Sequence, residues 1–288
     1  MNFDAFVNDI INNQWKVHGV QVYCDKVLTH SYGDTFKTKY PIYSATKSIL
    51  SIAVGIACDQ GKLDLQRSIL DYLPERFIAS MEPDQKDVYQ TITLHHLLTM
   101  SVKGFPFRPE GDSYLQFSLA CPIEKQEQNQ FYYGNIPAYL VGVALSEAVQ
   151  EDAWTFIQRN ILKPLHITGA QYTRCPDGYF YGASGMKLSV NDLSQIGLLL
   201  LNGGMFEGNR IVSENYIKTA TSLIQANQEG GYGYFFWKYA DGFCISGKWK
   251  QKCLYLSIEN CATFQLKIAP LKRDVIHHFT LNRHPLFY

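Results

Sequence analysis

The sequence predicts an α/β (α+β) protein in which one antiparallel sheet is assembled from both ends of the chain and flanked by helices, with a mainly helical block inserted between. Three observations lead there. The N-terminal segment reads as a helix and two short strands, and the region beyond Gly230 is a series of aromatic and β-branched runs parted by turn residues. Between them the chain reads as helices and loops, opening with an almost wholly apolar helix. We expect one catalytic domain over 1–288, in which 1–43 and 183–288 form the sheet part and 44–182 the helical part.

Taken in order, Asn2 to Asn13 carries Phe3, Phe6, Val7, Ile10 and Ile11 at helical spacing. Gly19 to Tyr23 and Lys26 to Ser31 follow as strand-like runs, which predicts a β-hairpin. The stretch Pro41 to Gly61, PIYSATKSILSIAVGIACDQG, then turns abruptly apolar. Ile49, Leu50, Ile52, Ala53, Val54, Ile56 and Ala57 cover nearly the full circumference of a helix, so this helix is expected to be buried. It should run from about Ser44 to Gln60 and stop at Gly61, where a left-handed residue is wanted. Further helices are expected over His95 to Met100 and Asn135 to Gln150, with surface loops at Met81 to Asp87 and Phe105 to Asp112, where proline meets acidic residues or glycine. Ser189-Val-Asn-Asp192 reads as a capping box for a helix that stops at Gly203-Gly204, and another helix starts at Ser213. Strands are expected over Tyr232 to Tyr239, Gly242 to Ile245, Lys252 to Ile258 and Thr263 to Ile268, with a last helical segment near Asp274 to Phe279.

Composition excludes several functions. With 46% hydrophobic and 18% charged residues, 288 positions can bury a sizeable core. Lys plus Arg equals Asp plus Glu, 26 each, so no global field favours nucleic acid or an acidic membrane as a partner. The first residues carry Asp4 and Asp9 and have neither a basic start nor a small-residue cleavage site, so no signal peptide is expected. No run is long and uncharged enough for a membrane span. The seven cysteines are scattered and lack CxxC spacing, which fits a reducing, cytoplasmic setting better than a disulfide framework or a zinc site. His95 and His96 are adjacent and diverge by about a hundred degrees on a helix, so they are read as packing or capping residues, not metal ligands. Nucleotide and zinc motifs are missing, and a cofactor-free, metal-free chemistry is expected.

Two short motifs carry chemistry. Ser44 and Lys47 lie one turn apart at the start of the apolar helix, where free backbone amides and the positive end of the helix dipole collect. There a lysine can act on the serine proton, and the Ser44 amide can donate to an oxyanion. An S-x-x-K is expected about once by chance in such a chain, and Ser184 to Lys187 is a second one, in a glycine-flanked loop. A capping serine beside a solvated lysine is the plainer reading of the first pair. Tyr133 and Asn135 sit two residues apart on a loop feeding the next apolar helix; they can point together into a cleft, or serve as a packing ring and a helix cap.

These residues, in order, resemble the penicillin-recognising serine hydrolases, particularly the class C β-lactamase-like branch with its esterases, D-amino-acid peptidases and amide hydrolases. Ser44-Ala-Thr-Lys47 matches its S-x-x-K, Tyr133-Gly-Asn135 its Y-x-N, and the segments Ile92 to Ser101, Gly185 to Ser213 and Gly231 to Tyr234 look like further family stretches. The resemblance runs from about Trp15 to Ile268 and implies a β-lactamase-like fold. It also implies that Ser44 is the acylated nucleophile, that Lys47 and Tyr133 share the work of general base and proton shuttle, and that Asn135 helps to hold the substrate. Which of lysine and tyrosinate takes the proton stays open. A lysine with its ordinary pKa near ~10.4 is a poor base at neutral pH, and burial would lower it.

The third family motif, K-T-G or a variant on the strand lining the cleft, is not clean. On one register Ser246-Gly247-Lys248-Trp249-Lys250-Gln251 aligns with an "SGKYGQ" strand, with Lys250 in place of the glycine and on the same face as Lys248. On the other, Ile245-Ser246-Gly247 keeps the glycine and leaves Lys248 as the amide donor; a solvated edge-strand face is a third reading of the lysines. Ser246, Gly247, Lys248, Lys250 and Gln251 are thus the candidate substrate-binding residues beside Asn135. One missing oxyanion donor costs about two to three orders of magnitude in rate. The expected function is therefore serine-hydrolase cleavage of a small-molecule ester, amide or peptide through a Ser44 acyl-enzyme, the alternative being an impaired member that binds a small ligand or peptide.

Overall fold

Two helices that are apolar on every side set the architecture, because such a helix is stable only when protein surrounds it. The computed structural model describes residues 3–124, 130–239, 242–248, 251–256 and 261–267. Its helices are α1 (Phe3–Asn12), α2 (Ala45–Asp59), α3 (Glu75–Ile78), α4 (Pro83–Gln90), α5 (Leu94–Leu98), α6 (Tyr114–Leu119), α7 (Ile136–Val149), α8 (Ala153–Ile157), α9 (Val190–Leu201) and α10 (Glu214–Ala220). Its strands are β1 (Val17–Cys24), β2 (Val27–Gly33), β3 (Tyr40–Pro41), β4 (Lys187–Leu188), β5 (Met205–Phe206), β6 (Asn209–Arg210), β7 (Trp237–Tyr239), β8 (Gly242–Gly247), β9 (Gln251–Leu256) and β10 (Cys261–Lys267). Helix α2 is buried from Ala45 through Ala57, and α7 is buried along nearly its whole length.

The main sheet is antiparallel with strand order β2-β1-β10-β9-β8-β7, so strands from the two ends of the chain meet between β1 and β10. Alternation along β1 divides its side chains between two layers. Val20 and Val22 pack with Phe3, Phe6 and Ile10 of α1, while Tyr23 joins the larger core on the opposite face. Gln21 also lies on that second face, where its side-chain oxygen accepts a hydrogen bond from Ser194 of α9. Helix α2 packs against β8, α7 and α10.

The boundaries agree with the periodicity where apolar spacing or a cap speaks. Gly61 takes φ +69°, ending α2 as expected. Ser189 and Asp192 form the capping box of α9, and Thr93 and His96 form another at α5, so His96 is a capping residue and His95 bonds Tyr234 through Nδ1. Three expectations are corrected. The segment expected to be a surface loop from Met81 is helix α4, in which Pro83 occupies the first turn, where its missing N–H costs nothing. The strand expected over Tyr232 to Tyr239 is only Trp237–Tyr239, because Phe235 turns to φ +62° and its amide donates to Leu98. Strand β8 ends at Gly247, which pairs with Gln251, so Lys248 lies in the hairpin connection and does not extend the strand. Lys250 and the segment Asp274 to Phe279 lie outside the described residues.

Gly55, in the middle of α2, is a poor helix former placed where space is lacking. A Cβ there would stand 2.4 Å from Cδ1 of Tyr216, whose hydroxyl is paired with Ser51. Gly55→Ala is therefore expected to destabilise the fold by about 1–3 kcal/mol despite its better helix propensity, the overpacking cost exceeding the gain. Urea unfolding reads this as a lower midpoint at constant slope; an unchanged midpoint would show that Tyr216 moves aside freely.

Candidate active site

Two residues stand at helix N-caps without capping. Ser44 precedes α2 and Asn135 precedes α7, both in helical backbone conformation, and neither side chain bonds a free amide of its helix. The plainer reading of both as caps is thereby removed. At Ser44 the first amides of α2 are already taken by backbone carbonyls, Ala45 donating to Ile42, Thr46 to Tyr43 and Lys47 to Ser44. Tyr43 takes φ +49°, a left-handed conformation that costs a bulky residue of order 1–3 kcal/mol and swings the chain sharply into α2. Among the described residues the Ser44 amide has no acceptor.

Lys47 occupies the centre. It is 1% exposed, yet its amine is fully satisfied, donating to Ser44 Oγ at 3.2 Å, Asn135 Oδ1 at 2.8 Å and the carbonyl of Ala183 at 2.9 Å. Three acceptors match the three N–H groups of an ammonium. None of them is a carboxylate, so burial lowers the lysine pKa from its ordinary value of 10.5 to about 7. The neighbours of Lys47 in sequence hold the same turn of α2 in place. Thr46 Oγ1 accepts from the Met186 amide at 3.4 Å, and Ser48 Oγ donates to the carbonyl of Phe235 at 2.6 Å.

Tyr133 closes the other side. Lys47 Nζ lies 5.1 Å from its ring centroid. The ring packs against Trp237 at 5.4 Å, Phe131 at 6.2 Å and Tyr232 at 6.2 Å. Burial in this aromatic wall raises the phenol pKa; the Ser44 side chain pulls the other way, and Glu229 adds to the rise. Phe107 stands at the rim, its carbonyl accepting from the Asn135 amide at 2.6 Å.

Ser44, Lys47, Tyr133 and Asn135 are thus brought together by hydrogen bonds and one ring contact. Ser246 and Gly247 end β8, and Gln251 opens β9 opposite Gly247. Lys248 is exposed in the connection, and Lys250, with which one register would pair it on a strand face, lies outside the described residues. The second S-x-x-K contributes nothing to the group, since Lys187 is exposed on β4. Sequence reasoning missed the Ala183 carbonyl. The available signal was Gly182, which takes φ +46° and has no room for a side chain, a Cβ there standing 2.7 Å from the Ala138 carbonyl oxygen. No group of three or more His, Cys, Asp or Glu side chains among the described residues is placed to hold a metal, and no described helix is long and apolar enough to cross a membrane.

Comparison with known proteins bears on the family and the fold. The beta-lactamase family model matches residues 7–259. The 6-aminohexanoate-dimer hydrolase of Paenarthrobacter ureafaciens is 20% identical over 234 residues, covering 69% of this chain, which spans 57% of that protein's length. The class C beta-lactamase of Rhodobacter sphaeroides shares the fold at TM-score 0.71 and 15% identity, with 99% of each chain covered. So does a penicillin-binding protein of Bacillus halodurans, at TM-score 0.70 and 16% identity, covering 94% of this chain and 98% of that one.

The buried amine has a consequence for stability. Between about pH 7 and pH 10 the unfolded chain holds a proton at Lys47 that the folded chain has released, so the stability contributed at this site rises with pH through that window and is level below it. Urea titrations of wild type and Lys47→Met are expected to show a difference that moves in favour of wild type as the pH climbs from 7 to 10. A difference independent of pH would mean that Lys47 stays charged in the fold.

Proposed function

This chain belongs to the beta-lactamase family, and from that premise we propose that it is a serine hydrolase that cleaves an ester or amide bond through an acyl-enzyme on Ser44. One observation carries the reading. Two N–H groups of Lys47 are taken by the carbonyl oxygens of Asn135 and Ala183, so in the neutral amine the lone pair is left facing Ser44 Oγ. A base must have the right protonation state as well as the right position. Burial brings Lys47 to about 7 and drives Tyr133 upward, so the neutral lysine is the base and the tyrosine remains a phenol.

The steps follow from these assignments. Lys47 takes the Ser44 proton as Oγ attacks the substrate carbonyl, and the oxygen of the tetrahedral intermediate accepts from the Ser44 amide. The Tyr133 phenol, beside Oγ, passes a proton to the departing alcohol or amine and is reprotonated from Lys47. Water then attacks the acyl group with Lys47 again as base, releasing the acid and restoring Ser44. Asn135, Ser246, Gly247, Lys248, Lys250 and Gln251 remain the proposed substrate contacts, with the β8 end supplying the second oxyanion donor. The likeness to a 6-aminohexanoate-dimer hydrolase supports an amide among the substrates, since an amino acid joined to itself is joined by an amide. Binding without turnover is favoured by one feature, the strand stopping at Gly247 with Lys248 exposed, where the family's third motif continues as a strand.

Intact-protein mass after incubation with a fluorophosphonate, a p-nitrophenyl ester and a penicillin tests the reading. We expect an adduct on wild type, absent from Ser44→Ala, and a labelling rate whose acid limb lies near pH 7. Lys47→Met should lower that rate by about 10²–10⁴-fold. Folded wild type that takes up none of the three reagents would rule out the acyl-enzyme and leave the binding role.

A further inference from the structure

Two phenylalanines of one short loop meet opposite fates. In Gly-Phe-Pro-Phe-Arg-Pro, residues 104–109, Phe105 packs inward against Tyr89 with ring centres 6.2 Å apart, whereas Phe107 is 58% exposed. That exposure is not slack in the chain. Pro106 and Pro109 fix the backbone on either side of Phe107, whose carbonyl accepts from the Asn135 amide at 2.6 Å and would meet a Cβ at Gly134 at 3.5 Å. The loop is thus laid on Tyr133-Gly-Asn135, and its outward ring stands 6.4 Å from that of Tyr133. From there the aromatic surface continues. Phe131 and Trp237 lie 6.2 and 5.4 Å from the same tyrosine and 5.7 Å from each other, and all three are only partly buried. One exposed apolar side chain is ordinary, but a run of them leading to a nucleophile marks a binding surface. We propose that Phe107, Phe131 and Trp237 form the subsite for the departing half of the substrate, so that the protein selects esters or amides of flat, apolar alcohols or amines, with Phe107 as the specificity-determining residue. The inference rests on the acyl-enzyme reading above and gives it a substrate class.

The position of Tyr133 decides which half of the substrate the rings meet. Lys47 Nζ, 3.2 Å from Ser44 Oγ, is 5.1 Å from the centre of the Tyr133 ring, so this ring is the part of the aromatic surface next to the nucleophile. In the acyl-enzyme mechanism its phenol gives a proton to the departing oxygen or nitrogen. What flanks the ring therefore flanks the departing group, while the acyl half stays bonded to Ser44 with its oxygen toward the Ser44 amide at the start of α2. The wall is built from two parts of the fold, Phe107 and Phe131 from connections in the helical part and Trp237 from β7 at the end of the main sheet. Tyr232, fully buried, backs it at 5.2 Å from Phe131 and 4.8 Å from Trp237. A surface backed in this way is already shaped before a ligand arrives, so little is lost to ordering it. A ring set against Phe107 takes apolar area out of water on both partners, which is worth about tenfold to a hundredfold in affinity.

Substrates matched in intrinsic reactivity test this: 2-phenylethyl and 2-methoxyethyl acetate, and the acetamides of 2-phenylethylamine and 2-methoxyethylamine. A reversed pair, ethyl 3-phenylpropanoate and ethyl 3-methoxypropanoate, puts the same groups on the acyl half. Wild type is expected to favour the phenylethyl member by about tenfold to a hundredfold in kcat/KM, in whichever of the esters or amides it turns over. Phe107→Ala should cut that ratio by about threefold to thirtyfold, and Phe107→Leu, which keeps an apolar side chain, should fall between Phe107→Ala and wild type. The ratio for the reversed pair should change by less than about twofold in both variants, whose folding is checked by thermal unfolding. No preference in wild type, a ratio cut by less than threefold in Phe107→Ala, or a larger change in the reversed pair overturns the subsite. So does a wild type that a fluorophosphonate labels at Ser44 but that turns over none of the four acetates and acetamides. A folded wild type with neither label nor turnover overturns the acyl-enzyme reading itself, and this subsite with it.

Discussion

Burying an amine inside an apolar core is costly unless each N–H finds an acceptor, and Lys47 meets that condition without a carboxylate. A carboxylate partner would have held the charge and raised the pKa. Neutral oxygens satisfy the geometry while leaving the charge poorly solvated, so the same contacts that let the lysine be buried also make it give up its proton near neutrality. Its acceptors come from the start of α2, the start of α7 and the turn at Gly182, three places far apart in the chain. The fold has to bring these together to within a few tenths of an ångström for the residue to be tolerated at all.

That demand explains the backbone around the site. Tyr43 and Gly182 both sit at positive φ, and Ser44 and Asn135 give up the capping bonds that their residue types ordinarily make. Local preference is overridden at these positions around Lys47 and obeyed at others, as at the capping boxes of α5 and α9. The wide apolar girth of α2 and α7 supplies the packing that sustains these departures.

The legibility of the chain divides along the same line. Side chains that act through their own chemistry were readable: a serine and a lysine one turn apart, a tyrosine and an asparagine before an apolar run, and helices written by spacing and glycine stops. Contributions made by the backbone were not, because the carbonyls of Ala183 and Phe235 have no letter of their own. Elsewhere composition misled. The acidic, proline-containing start of α4 has the residues of a loop but uses proline where a helix accepts it. The aromatic run from Tyr232 has the residues of a strand but folds as a turn, because the Phe235 amide and carbonyl are both claimed by other elements. At the third motif, alternation was carried through Lys248, whereas the ladder closes one residue earlier, at Gly247 opposite Gln251.

The pairing of β1 with β10, which sets Val22 beside Thr263, has a consequence for how the molecule comes into being. On a ribosome the first strand emerges long before its partner exists, so the central position of the sheet stands empty through most of synthesis. Contacts of such long sequence separation form late, after a large loss of chain entropy. The first turn of α2 shares in this delay, because Ser48 ties it to Phe235, close to the strands made last. A nascent chain therefore carries its serine and lysine unassembled and in water, with the amine protonated at neutral pH. On the proposed acyl-enzyme reading, reactivity at Ser44 is withheld by topology until synthesis has passed the last strands of the sheet.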